Sequence, residues 1–216
     1  MRKTILSATA LVGALFLANP AFAGLTITDI ELPHNDTLTI TSPISVTAYV
    51  GQQVLTTNIG TIDAWCIDLF HDDSPGTQST TFAESNILTD GQGHILSSAT
   101  MAAISALVHY GDAVLAGTVA VPIGATVNDF SASIQLAIWK DEYSTFAYNG
   151  NSTLTNLVNA DMTASAGYGG GLLALYLNSG TGQGLVTEVP EPMTIAIFGA
   201  GLLGLGMVRR RPLPST

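Results

Sequence analysis

The sequence predicts an α+β protein: a β-rich core, sandwich- or barrel-like, with a helical insert, plus a C-terminal transmembrane helix. Three observations lead there. Segments rich in Thr, Ile and Val, with partial alternation, both open and close the body of the chain. Between them the apolar period lengthens to that of helices, and strands, then helices, then strands is the order of an α+β domain. Near the C-terminus an uninterrupted apolar run ends in three arginines.

The strands come first. "GLTITDIEL" and "TLTITSPISVTAYV" read as β, broken at Pro33 and Pro43, followed by "QVLTTNI" and "TIDAWCIDLF" on either side of Gly60. In the last of these, Ile62, Ala64, Cys66 and Asp68 share one face, and Asp63, Trp65, Ile67 and Leu69 the other. "HDDSPGTQST" reads as a loop from its turn residues. It lacks the spacing of a Ca²⁺ loop, so Asp72 and Asp73 read as solvated acids. A helix is expected over "SSATMAAISALVHYGD", capped by Ser97 or Ser98 and ended by Gly111. A second covers "NDFSASIQLAIWKDEYS", capped by Asn128 or Asp129, and a third "STLTNLVNADMTASA". "GLLALYLNS" and "QGLVTEV" return to strands.

Both ends carry processing patterns. Arg2 and Lys3 precede an apolar stretch over residues 5–18, and Ala21-Phe22-Ala23 places small residues where a signal peptidase cuts. Residues 1–23 are therefore expected to be a signal peptide, and residues 24–188 the functional domain. In residues 189–216, Pro190, Glu191 and Pro192 precede sixteen apolar residues, 193–208, then Arg209, Arg210 and Arg211. Sixteen helical residues reach about 24 Å, close to a hydrocarbon core when flanking arginines snorkel. The arginines stop the span on the cytoplasmic side, which leaves the body outside. A proline–glutamate–proline motif, a glycine-rich span and a basic end, in that order, resemble the PEP-CTERM sorting signal of Gram-negative bacteria. That resemblance implies a temporary anchor, a cut near the motif by an exosortase, and a destination at the cell surface or beyond. It is an address and leaves the cargo's function open. A permanent single-pass anchor is the other reading of the span.

Between its ends the chain holds fifteen acids against the single base Lys140. This excludes nucleic acid as a partner, because a cationic face is absent, and disfavours adhesion to anionic lipid. Membrane contact is expected only through the C-terminal helix, before processing. No motif calls for a cofactor or a metal.

Cys66 is the only cysteine, which is unusual in an exported chain, where thiols normally pair. It stands in "WCID", and Gln135 stands in "SIQLAIW" at a helix start. With the intervening helix ending "HYGD", these motifs resemble the thioester domain of bacterial surface adhesins, over roughly residues 45–180. The resemblance implies a bond from Cys66 to Gln135, supported by Trp65, Asp68 and Trp139, and capture of an amine-bearing surface or matrix partner rather than turnover. Ile134 departs from the family, where Thr often precedes the glutamine, so no hydroxyl role is carried over.

The chemistry sets the requirements. A thiolate attacking a carboxamide expels ammonia, uphill in water, so the fold must hold sulfur and carbonyl in near-attack geometry, worth up to about 7–11 kcal/mol. It must also polarise the amide oxygen and exclude water. Gln135, in the first turn or two of its helix, is expected to have free N–H groups nearby for that oxygen. Trp139, one turn on, would shield the bond, and Asp68 would order the strand end as a hydrogen-bond acceptor. Closing about 70 residues would add about 4 kcal/mol by the loop-entropy relation for disulfides. Two other readings of Cys66 remain open at this point. One is a reduced packing residue in an exported structural or matrix protein. The other is a hydrolase nucleophile with His71 or His109.

For the tail, Pro190→Ala or Glu191→Ala is expected to leave the unprocessed chain in the membrane fraction. Immunoblotting of cell fractions reads this out, and normal release of either variant would contradict an exosortase route.

Overall fold

The structure, a computed structural model, describes residues 25–71, 75–85, 89–169, 174–178 and 182–188. The signal peptide, Asp72 and Asp73, the sorting residues Pro190, Glu191 and Pro192, the span 193–208 and Arg209 to Arg211 lie outside the described residues. No helix among the described residues is long and apolar enough to cross a membrane.

The β-rich core is a barrel. The strands are β1 (Leu25–Ser42), β2 (Val46–Thr57), β3 (Gly60–Cys66), β4 (Gly76–Ser85), β5 (Ala147–Asn149), β6 (Ala174–Asn178) and β7 (Leu185–Glu188). Six of them close a circuit of antiparallel pairs, β1–β2–β3–β7–β6–β4 and back to β1, and β5 pairs with the far end of β1. Closure leaves those six strands without a free sheet edge along most of the circuit.

Two strand expectations need correction. Pro33 does not break β1. It falls where the β1–β2 register shifts between Glu31 and His34, a bulge at which a missing N–H costs no ladder bond. Only Pro43 ends a strand, in the turn to β2, after a cis Ser42–Pro43 bond. Gly76 to Thr80, read as loop, belong to β4, which pairs with both β1 and β6 and so closes the barrel. The Pro75–Gly76 turn signal hid the Thr-rich strand that follows it. Gly51 lies inside β2 at φ 154°, and a Cβ there would sit 2.2 Å from the His34 carbonyl oxygen and 2.9 Å from Ser131 Oγ. A side chain would therefore push β2 off both β1 and the helix that packs on it.

The helices are α1 (Ser98–Leu115), α2 (Val127–Glu142) and α3 (Ser152–Ser165). Ser97 caps α1, its side chain accepting from the Thr100 N–H. The cap of α2 is Thr126, not Asn128 or Asp129: Asp129 sits three residues into the motif and returns a bond to the Thr126 N–H, completing a capping box. Gly111 does not end α1, which runs one turn further. It is the point where the Trp65 ring crosses the helix, and a Cβ there would meet Trp65 Cζ2 at 2.8 Å and Ile134 Cγ2 at 3.0 Å.

α2 is the centre of the molecule. It packs on α1, α3, β1 and β2, and ten consecutive residues, Phe130 through Trp139, are buried. A helix enclosed on all sides must satisfy every polar side chain it carries. Ser131 accepts from the Gln52 N–H of β2 at 2.8 Å, Ser133 donates to Asp161 of α3, and Gln135 reaches β3.

The helical layer also encloses carboxyls. Asp112 accepts from Trp65 Nε1 (2.9 Å) and Gln52 Nε2 (2.7 Å), and burial pushes it up to about 7. Burial pushes Asp161 up to about 6 against the opposing Ser133 bond. In both cases the folded state holds a proton that the unfolded chain releases. Their contribution to stability is therefore full below about pH 4 and is lost as pH rises toward about 7, on the order of a few kcal/mol together. Thermal unfolding is expected at a higher temperature near pH 5 than near pH 8, with Asp112→Asn narrowing the difference. A midpoint that rises across that interval would contradict these assignments.

Candidate functional site

β3 ends at Cys66, and the β2–β3 ladder stops two residues earlier, at Gln53 opposite Ala64. At that point α2 supplies what a third strand would. The Gln135 carboxamide oxygen accepts from the Cys66 N–H at 2.9 Å, and its nitrogen donates to the Cys66 carbonyl at 2.6 Å. Cys66 is 2 % exposed and Gln135 1 %. Residues 69 apart in sequence are thus joined inside the core.

The polarising group for the amide oxygen differs from the one expected. Gln135 is the ninth residue of α2, in its third turn, well past the free N–H groups of the helix start. The Cys66 peptide N–H takes that role. Apolar periodicity located the helix, but the start at Val127 rather than Asn128 or later, with the cap at Thr126, moved Gln135 deeper into it.

The thiol sits in the turn that follows β3. Its Sγ accepts from the Asp68 N–H at 3.3 Å and lies 3.1 Å from the Asp68 carbonyl, to which the thiol donates. Asp68 Oδ1 accepts from the Phe70 N–H (2.8 Å) and the His71 N–H (3.2 Å), while Oδ2 pairs with His71 Nδ1 at 2.6 Å. This side chain builds the turn around the sulfur. Burial pushes the Cys66 thiol well up, the charges of Glu142 and Asp68 push the same way, and the Asp68 N–H and the Trp139 indole act against them. Cys66 at rest is a protonated thiol.

Trp139, 2 % exposed, stands one turn beyond Gln135 on the same face. Its indole N–H is placed to favour a thiolate on Cys66, yet among the described residues it has no acceptor within hydrogen-bonding geometry. Trp65 turns away to α1, where it bonds Asp112 and lies against Gly111. Neither histidine of the hydrolase reading pairs with the thiol: His71 pairs with Asp68, and His109 Nδ1 with Glu188.

A cleft of about 120 Å³ lies on the Asp68 and Trp139 side of the site, lined among others by Gln53, Asp68, Leu69, His71, Trp139 and Gln183. Gln53 Nε2 donates to Gln183 Oε1 at 2.9 Å, and Gln183 Nε2 reaches the Asp68 carbonyl at 3.4 Å. Sequence reasoning missed both glutamines. Neither stands in a motif, and only the strand pairings bring them to the turn.

Residues 188–211 match the PEP-CTERM protein-sorting motif, so the chain carries the signal of exported proteins processed by an exosortase at the surface of Gram-negative cells. No curated protein and no solved structure matches the chain.

The two bonds to Cys66 can be weighed without any covalent link by working in a Cys66→Ala background, which keeps the main chain. There, Gln135→Met is expected to orphan a buried N–H and a buried C=O, at a cost of about 2–5 kcal/mol. Urea denaturation measures the loss, and a change below about 0.5 kcal/mol would contradict the role given to the carboxamide.

Proposed function

We propose that the exported body is a surface or matrix binding module in which Cys66 and Gln135 condense to a thioester that captures amine-bearing partners. The observation that carries this reading is the carboxamide of Gln135 locked onto the Cys66 main chain in a water-poor core. Rigid placement of nucleophile beside carbonyl is what the uphill step requires. The Cys66 N–H on Oε1 is a donor aimed where negative charge develops.

Formation joins Sγ to Cδ of Gln135 and releases Nε2 as ammonia. Capture then joins the amine nitrogen to Cδ, breaks the Sγ–Cδ bond and frees the thiol. The bond is consumed, so the module binds once and does not turn over. Self-capture is limited by composition: Lys140, the one lysine between the two ends, is exposed and donates to Asn159 Oδ1 at 2.7 Å. The C-terminal span would hold the chain in the membrane until exosortase cuts it, and signal peptidase would remove the leader.

The competing reading is an exported structural or matrix protein with Cys66 reduced. It is favoured by the fact that the carboxamide and the main chain of Cys66 already satisfy one another as an ordinary buried polar clamp. Intact mass separates the two. Thioester formation is expected to lower the mass by about 17 Da, and methylamine to add once per chain, as an N-methylamide on Gln135 with the thiol released. Cys66→Ala should abolish both changes. Full mass together with one titratable thiol on unfolding would leave only the structural reading.

A further inference from the structure

The reaction needs a proton acceptor for a thiol that the core keeps protonated, and a proton donor for the departing nitrogen. The face of α2 that carries Gln135 and Trp139 continues, three residues on, to Glu142. Side chains on a helix tilt toward its N-terminus, which directs Glu142 back over Trp139. Both of its carboxyl oxygens are buried, and neither has a hydrogen-bond partner among the described residues. The indole N–H of Trp139, on the same face, is likewise buried and unpartnered. Buried polar atoms are ordinarily satisfied, and two such groups on one helix face require a reason.

The surroundings of Glu142 are acidic. Tyr143, Asp68 and Asp90 face it, with Asp68 held by His71 and Asp90 by His94. The Tyr143 hydroxyl lies close to the carboxyl and accepts from the Gly91 N–H at 3.3 Å, but it does not complete a hydrogen bond to Glu142. Burial holds the proton affinity of Glu142 well above that of an ordinary carboxyl. Tyr143 opposes this, and the charges of Asp68 and Asp90 add to it. Glu142 also couples electrostatically to the Cys66 thiol, since its negative charge disfavours the thiolate. A charge on either group therefore disfavours a charge on the other, and the two are not ionised together.

We propose that Glu142 is the proton relay of the Cys66–Gln135 reaction, with the Trp139 indole N–H holding the charge that develops on sulfur. The proposal rests on the thioester reading above. In formation, the Sγ proton passes to the Glu142 carboxylate as the Sγ–Cδ bond forms, and the Cys66 N–H holds the oxyanion on Oε1. The Cδ–Nε2 bond then breaks, Glu142 returns its proton to nitrogen, and ammonia leaves. In capture, the attacking amine gives its proton to Glu142, which delivers it to the departing Sγ. Glu142 is unchanged over either sequence.

The test uses the exported body of the wild type, Glu142→Gln and Trp139→Phe. Thermal midpoints check folding. Mass loss is followed after refolding from urea, and methylamine uptake is followed across pH, referenced to the free-base amine. Glu142→Gln is expected to slow both processes roughly 100-fold and to remove the carboxyl-dependent limb of the uptake profile. Trp139→Phe is expected to slow uptake while keeping that limb. Glu142→Gln with wild-type rates and an unchanged profile would overturn the relay and leave the thioester standing. No mass loss in the wild type would overturn both. Should Glu142→Gln fail to fold, the wild-type profile decides, because uptake without a carboxyl limb overturns the relay.

Discussion

The structure depends on one side chain standing in for a strand. Where β2 stops pairing with β3, the carboxamide of Gln135 takes both backbone groups of Cys66, and the central helix is thereby registered against the barrel wall. An apolar side chain at this position would leave a peptide N–H and a carbonyl buried without partners. A charged one would bring an unpaired ion into a region that already holds Glu142 and Asp68. Glutamine alone offers a donor and an acceptor at this reach without charge.

The same logic organises the rest of α2. Ser131 binds β2, Ser133 binds α3 through Asp161, and Gln135 binds β3, so three polar residues at alternate positions point to three different elements. Packing supplies most of the stability of such a helix, but apolar contacts tolerate sliding, whereas hydrogen bonds at fixed distances do not. The result is a rigid seat for one thiol and one carboxamide. A cleft comes as near as Trp139 and Asp68, the residues that stand between it and this seat.

What the sequence made legible follows from which signals are local. The helices announced themselves by apolar period, and α1 also by its Ser97 cap, and Cys66 and Gln135 stood in two short motifs whose resemblance brought them together. The closing strand β4 did not, since Pro75–Gly76 gave a stronger turn signal than the Thr-rich residues gave a strand signal. Pro33 looked like a break because a proline inside a paired strand costs a ladder bond unless it falls at a bulge, an edge or a strand start, and a bulge is set by the partner strand. Gln53 and Gln183 reach the site only through long-range strand pairing, and Asp112 became a partner of Trp65 only through the tertiary packing of α1. Gln135 was placed in the right helix but in the wrong turn, so the donor for its oxygen was sought at the helix start rather than in the Cys66 peptide.

The function proposed for this site turns on one bond between sulfur and acyl carbon. The measurement that bears on it most directly is a high-resolution crystal structure of the exported body, grown without amines. The expected result is continuous density from Cys66 Sγ to Gln135 Cδ at covalent distance, with the amide nitrogen gone. An intact carboxamide still bonded to the Cys66 main chain, with the thiol separate and turned to Asp68, would contradict it.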